Sequence, residues 1–175
     1  MRHKYVTRGI VLSRGAARES GLMLTLLTED FGLVRAKAEG LRKPGAKLAS
    51  ALQTLCESDV TLVRGKDGWR ITGALLVENR FLALGADARA CAARAASLFL
   101  RLMPEGAHEA GFLSLYQTLL SELVALPADQ YDAAECRTAL NLLILLGLDT
   151  GKEAESLTRN DIVIRINKGI AASGL

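Results

Sequence analysis

Five cationic side chains, Arg35, Lys37, Arg42, Lys43 and Lys47, stand within thirteen residues of this chain against a single acid, Glu39. The chemistry open to such a run is the capture of phosphate, from one nucleotide or from the backbone of a polymer. Glycine spacing tests the first option. The stretch Gly40-x-x-x-x-Gly45-Ala46-Lys47-Leu48 is close to the nucleotide-cradling loop G-x-x-x-x-G-K-[ST], but it departs from it twice. Its lysine is displaced by one residue from the position that reaches the β- and γ-phosphates, and Leu48 has no hydroxyl to offer magnesium. Nucleotide hydrolysis is therefore not expected, and a phosphate backbone is the better match. The alternative is a solvated hairpin connection with no partner.

Bond-making chemistry finds no other foothold. The two histidines, His3 and His108, have no nucleophile near them in sequence, and each reads as a surface side chain. Glu29-Asp30 reads as a turn, and Glu153 with Glu155 as a solvated helix face. The three cysteines, Cys56, Cys91 and Cys136, stand singly. They predict buried thiols in a reducing compartment, with neither a disulfide framework nor a zinc site. The expectation is a protein that is not an enzyme and needs no metal or cofactor.

Binding remains, and further residues support it. Arg8, Arg14 and Arg18 lie on or just after a first strand, Arg35 and Lys37 on a third, and Arg64, Lys66 and Arg70 around a later hairpin. Tyr5, Phe31 and Trp69 are candidate platforms for unpaired bases or, alternatively, apolar filling of a small barrel. Trp69 follows a turn and adjoins Arg70, which favours partial exposure.

The elements that must position these residues change type midway. Tyr5–Leu12, Leu22–Thr28, Leu33–Glu39, Ser58–Arg64 and Trp69–Val77 carry strand-like alternation or β-branched runs. Between them, Ser13 to Ser20 should turn, Glu29-Asp30-Phe31-Gly32 and Gly65-Lys66-Asp67-Gly68 should close hairpins, and Leu48 to Leu55 can hold a short helical turn. Five short strands of this spacing predict a small OB-type or SH3-like barrel, which strand count does not separate. After Glu78 the period becomes helical. Phe81, Leu84, Ala88, Cys91, Ala95, Leu98 and Leu102 form one stripe, ended by Pro104 and Gly106. Phe112 to Leu123 predicts a second helix, and Ala133 to Leu146, capped by Asp132, a third that is apolar nearly all round and so central to a bundle. Thr158 to Ala172 predicts a last helix. The fold class is α+β, with a barrel domain over 1–80 and a helical domain over 81–175.

Charge divides at the same place. Residues 1–80 hold fourteen Lys/Arg against eight Asp/Glu, and residues 81–175 hold eight against eleven. The first half therefore faces something anionic and the second does not. No apolar leader follows Met1-Arg2-His3-Lys4, and the most apolar run, Ala139 to Leu148, is too short to span a bilayer. A cytoplasmic protein is expected.

The first eighty residues resemble the bacterial RecO family of recombination mediators. The resemblance rests on Thr7-Arg8-Gly9-Ile10-Val11-Leu12, on Glu19 to Glu29, on Gly32 to Pro44, and on Ala51-Leu52-Gln53 with the strand into Glu78. The helical half matches in outline, at Leu98 to Pro104 and Leu142 to Leu148. It implies an N-terminal OB-fold domain followed by a helical one. It further implies binding of single- and double-stranded DNA, strand annealing, and help in loading recombinase with RecR and the tail of single-stranded-DNA-binding protein. A different function in the same setting is an adaptor whose helical half grips such tails with little DNA affinity of its own. Many family members carry a four-cysteine zinc module after the equivalent of Gly147-Leu148, where this chain has Asp149-Thr150-Gly151. The chain is thus expected to be a shortened version lacking that module.

Overall fold

Alternating side chains along five strands give the first half an inner and an outer surface. The computed structural model describes residues 3–16, 21–39, 48–107, 111–151 and 157–173. The strands are β1 (Lys4–Ala16), β2 (Leu22–Thr28), β3 (Gly32–Ala38), β4 (Cys56–Gly65) and β5 (Gly68–Asn79). They close into a barrel in the order β1-β2-β3-β5-β4. All neighbours are antiparallel except β3 and β5, which run parallel through Ala36–Ala38 against Trp69–Ile71. This Greek-key order is that of the OB fold, and it removes the SH3-like alternative.

Pleat parity sends Val11, Leu24, Leu26, Val34, Ala36, Val60, Leu62 and Ile71 into the barrel. β1 runs further than its sequence pattern indicates: Ser13 to Ala16 stay paired with β2 instead of turning. A bulge between Val11 and Ser13 lets the strand continue around the barrel's corner. A Cβ at Gly9 would stand 3.0 Å from the Leu27 carbonyl oxygen, so a side chain there would require the β2 backbone to give way. The stretch 48–55 forms turns rather than a helical turn, with Leu55 in the left-handed region at φ 64°. That conformation costs about 1–2 kcal/mol. It is held by the Leu55 N–H donating to the Val11 carbonyl at 2.9 Å and by burial of Leu52 inside the barrel.

Contacts group Met1–Ala83 with Pro104–Leu113 as one unit and Leu84–Met103 with Ser114–Leu175 as another. At the end of β5, Arg80 opens a single helical turn, α1 (Arg80–Ala83). Its guanidinium pairs with the buried Glu57 carboxylate at 3.2 Å and with Glu78 at 2.9 Å.

The second unit is helical: α2 (Ala86–Leu102), α3 (Phe112–Ala125, of which this unit holds Ser114 onward), α4 (Tyr131–Leu145) and α5 (Arg159–Ala172). The stripe beginning at Phe81 is broken at Leu84-Gly85, so Phe81 belongs to α1 and remains exposed. Phe99, off that stripe, is fully buried with its ring 5.3 Å from Tyr116, whose hydroxyl donates to the Ala92 carbonyl at 2.9 Å. Asp132 does not cap α4. A 3-10 turn, Ala128–Gln130, leads into the helix, which leaves Asp132 in the first turn, where it accepts from Arg159 Nε at 2.6 Å. Thr158 caps α5 through a reciprocal box with Asp161. α4 packs against both α2 and α5, the central position its apolar composition indicated. Gly169 of α5 lies so close to Leu143 that a Cβ would stand 2.8 Å from its Cδ1. Among the described residues no helix is long and apolar enough to cross a membrane.

Candidate nucleic-acid interface

Antiparallel pairing brings the start of β1, the β2–β3 turn and the β4–β5 hairpin to one end of the barrel. Each supplies one aromatic ring. Tyr5 and Trp69 have inward parity just beyond the last aliphatic layer, and Phe31 closes the β2–β3 turn. Their centroids lie 5.5 Å (Tyr5–Phe31), 5.6 Å (Tyr5–Trp69) and 5.4 Å (Phe31–Trp69) apart. The first two contacts are edge-to-face, the arrangement favoured by ring quadrupoles. Phe31 and Trp69 also pack on the barrel core while staying partly open to solvent. The rings therefore plug this end of the barrel and keep part of their surface open to solvent.

Arg64 and Trp69 are cross-strand partners on the β4–β5 hairpin, and the Arg64 guanidinium carbon stands 5.3 Å from the indole centroid. This cation–π contact positions the charge at the aromatic rim. Phe31, Trp69, Arg64 and Arg35 line a groove of about 420 Å³, together with Glu105 and Gly106. The Gly106 N–H donates to the Leu33 carbonyl at 3.1 Å, and Glu105 pairs with Arg35 Nε at 3.4 Å.

A second concavity, also about 420 Å³, lies on the outer face of β1, β2 and β3. Ser13, Thr25 and Arg35 form one row across the three strands, and Arg14 adds a second cation. Arg35 lines both hollows and joins an aromatic surface to a cationic, hydroxyl-bearing one. Lys66 is exposed in the hairpin turn beside them.

Other cations singled out in the sequence sit elsewhere or are engaged. Arg8 lines neither hollow: its Nε and Nη2 reach the two Asp59 carboxylate oxygens at 3.0 and 3.2 Å across the β1–β4 ladder. That hydrogen-bonded partner holds the Arg8 pKa above its ordinary value. Lys37 and Arg70 are neighbours across the β3–β5 seam and share Glu39, at 3.6 and 2.7 Å. These pairs are partly open to solvent, and none of the three cations lines either hollow. Arg18, Arg42, Lys43 and Lys47 lie outside the described residues, as does His108.

Sequence reasoning missed Glu105. Pro104 and Gly106 signal only a helix stop, and no local pattern announces a contact with β3. The second unit has its own hollow of about 470 Å³ between α2, α4 and α5, floored by Leu98, Phe99, Ala139, Val163 and Ile166 and rimmed by Arg94, Asp132 and Glu135. Cys91 is buried near that rim and donates to Glu135 Oε2 at 3.4 Å; burial, and then the carboxylate, push its thiol up to about 12. Among the described residues no three His, Cys, Asp or Glu side chains converge as a metal site.

A family model described as "Recombination protein O N terminal" matches residues 1–80. Among curated proteins, the chain is 36% identical over 123 residues to a protein of Dehalococcoides mccartyi named "DNA repair protein RecO", covering 69% of this chain and 47% of that one. Proteins of the same name from Heliobacterium modesticaldum and Gloeobacter violaceus are 33% identical over 161 residues and 32% over 146. Those two alignments cover 86% and 82% of this chain, and 57% and 56% of the relatives. The chain thus spans about half the length of the curated relatives it matches.

Proposed function

This chain belongs to the RecO family, and from that premise we propose that it serves DNA repair and recombination by holding DNA on the open end and outer β1–β3 face of its barrel. The observation that carries the reading is the pairing of the partly exposed Phe31 and Trp69 rings with Arg64 and Arg35 around one groove. Aromatic faces stack any base, and arginines at their rim take the adjoining phosphates, which is the recipe for sequence-tolerant binding of unpaired strands. Arg14 with Ser13 and Thr25 extends the phosphate track beyond Arg35. Duplex is held by the same cations through its backbone alone, more weakly because its bases are not free to stack.

Annealing follows from those two properties. Neutralising phosphates lowers the repulsion between complementary strands, and stacking on one side leaves base edges free to find partners. No covalent step is involved, and the protein acts as a mediator that assists recombinase loading with a RecR-like partner and single-stranded-DNA-binding protein. The division of labour assigns DNA to the barrel, residues 1–80, and protein contacts to the helical part, residues 81–175. Fluorescence anisotropy with a labelled, unpaired oligonucleotide tests the reading. Submicromolar binding that weakens with salt is expected, and flat, weak binding at both low and high salt refutes it.

The apolar hollow between α2, α4 and α5 favours a second reading, an adaptor that grips protein tails. Titrating the whole chain with a tail peptide, in the presence and absence of oligonucleotide, separates the two.

A further inference from the structure

We propose that Glu105 is a built-in surrogate for DNA phosphate, occupying Arg35 when the groove is empty and lowering the affinity of the strand that displaces it. The inference rests on reading this groove as the DNA site. Glu105 is not a side chain that happens to drift near a cation. Its turn is closed by the Ala107 N–H donating to the Pro104 carbonyl at 3.1 Å, with Gly106 at φ +77°, a conformation in which glycine alone is free of strain. The turn is in turn tied to β3 by the Gly106 N–H bonded to the Leu33 carbonyl, two residues before Arg35. Two backbone hydrogen bonds therefore aim the carboxylate at the guanidinium.

The pair itself is weak by construction. Nε to Oε1 is 3.4 Å, and both side chains are 60% exposed. Water screens such a pair, so it holds the guanidinium in place without resisting exchange. Phosphate brings the same charge and oxygen geometry and can replace the carboxylate at Arg35. Arg35 is the side chain shared by both hollows, so this exchange falls on the one cation that a strand crossing from the aromatic mouth to the outer face must contact. When phosphate displaces Glu105, the freed carboxylate gathers a counterion as the DNA releases one, and the net salt dependence is shallower than the contact count implies.

Anisotropy titrations of wild type, Glu105→Gln, Arg35→Ala and the double variant with an unpaired oligonucleotide test this. Glu105→Gln should bind about two- to five-fold more tightly, the range set by an exposed ion pair. Its salt slope should steepen by up to about 0.7, one single-strand phosphate contact. In the Arg35→Ala background the same substitution should change nothing. Wild-type affinity for Glu105→Gln, with wild type binding DNA normally, overturns the surrogate role alone. An equal gain with Arg35 absent also overturns it, because the carboxylate would then act through its general field. Failure of both wild type and Glu105→Gln to bind overturns the groove assignment and this inference with it.

Discussion

Raising salt from 50 to 200 mM distinguishes which cations of the barrel meet DNA. Arg14, Arg35, Arg64 and Lys66 line or adjoin the two hollows, whereas Arg8, Lys37 and Arg70 hold the acids Asp59 and Glu39. Four single-strand phosphate contacts give a slope of about −2.8 in log K against log salt, or about −2.1 where the displaced Glu105 carboxylate takes up a counterion, so this fourfold rise should weaken binding about 20- to 50-fold. If Arg42, Lys43 and Lys47 also touch phosphate, the slope becomes about −4.2 to −4.9 and the loss about 340- to 900-fold. With or without that uptake, the two outcomes differ by more than an order of magnitude, well within the resolution of anisotropy titrations against an unpaired oligonucleotide. Replacing Arg42, Lys43 and Lys47 with alanine should then move the steeper slope back to the shallower one. A wild-type loss below about 2.6-fold, a slope under one contact, refutes the phosphate track altogether.

The chain has one tryptophan, so its emission reports on the groove: saturating oligonucleotide should quench it, and Trp69→Ala should lower affinity about 5- to 100-fold through lost stacking. Emission unchanged at saturation would exclude Trp69 from the contact. Arg80→Ala removes a guanidinium from the Glu57 carboxylate, only 6% exposed, and should cost about 1.5–3 kcal/mol in urea unfolding. An unchanged midpoint with an unchanged m-value would contradict that. Cys91 should resist thiol reagents at pH 8 in the folded protein and react once urea unfolds it. Because its folded pKa is raised to about 12, its contribution to stability is complete below the ordinary thiol value of 9.0 and disappears as pH climbs between the two. Stability that holds steady from pH 9 to 12 in wild type, and matches Cys91→Ala throughout, would count against the assignment.

Strand and helix positions were readable because most rest on a local period: two for β3 and β4, and 3.6 for α3. What escaped was set by long-range geometry. β1 outruns its own pattern because β2 supplies partners for Ser13–Ala16, small and polar residues with little strand preference of their own. Asp132 looked like a cap because its type suits that position, but the preceding 3-10 turn fixes the helix start earlier. Phe99 was missed because a one-stripe reading ignores a second neighbour, and α2 packs on α3 as well as α4. At the site, charge type was legible and charge partner was not. The sequence lists Arg8, Arg35 and Arg70 as equals, while cross-strand register assigns Asp59 to the first and Glu39 to the last. Arg35 stands apart because the acid it meets, Glu105, reaches it from a later segment.

Only three residue pairs, Ala36–Ala38 against Trp69–Ile71, fasten β3 to β5 among the described residues. Such a short parallel seam is a clasp rather than a weld, and Trp69 is one of its three teeth. Trp69 thus belongs at once to the aromatic cluster and to the backbone ladder that closes the barrel. On the proposed DNA site, a strand bound at the rim would therefore also brace the joint that closes the barrel.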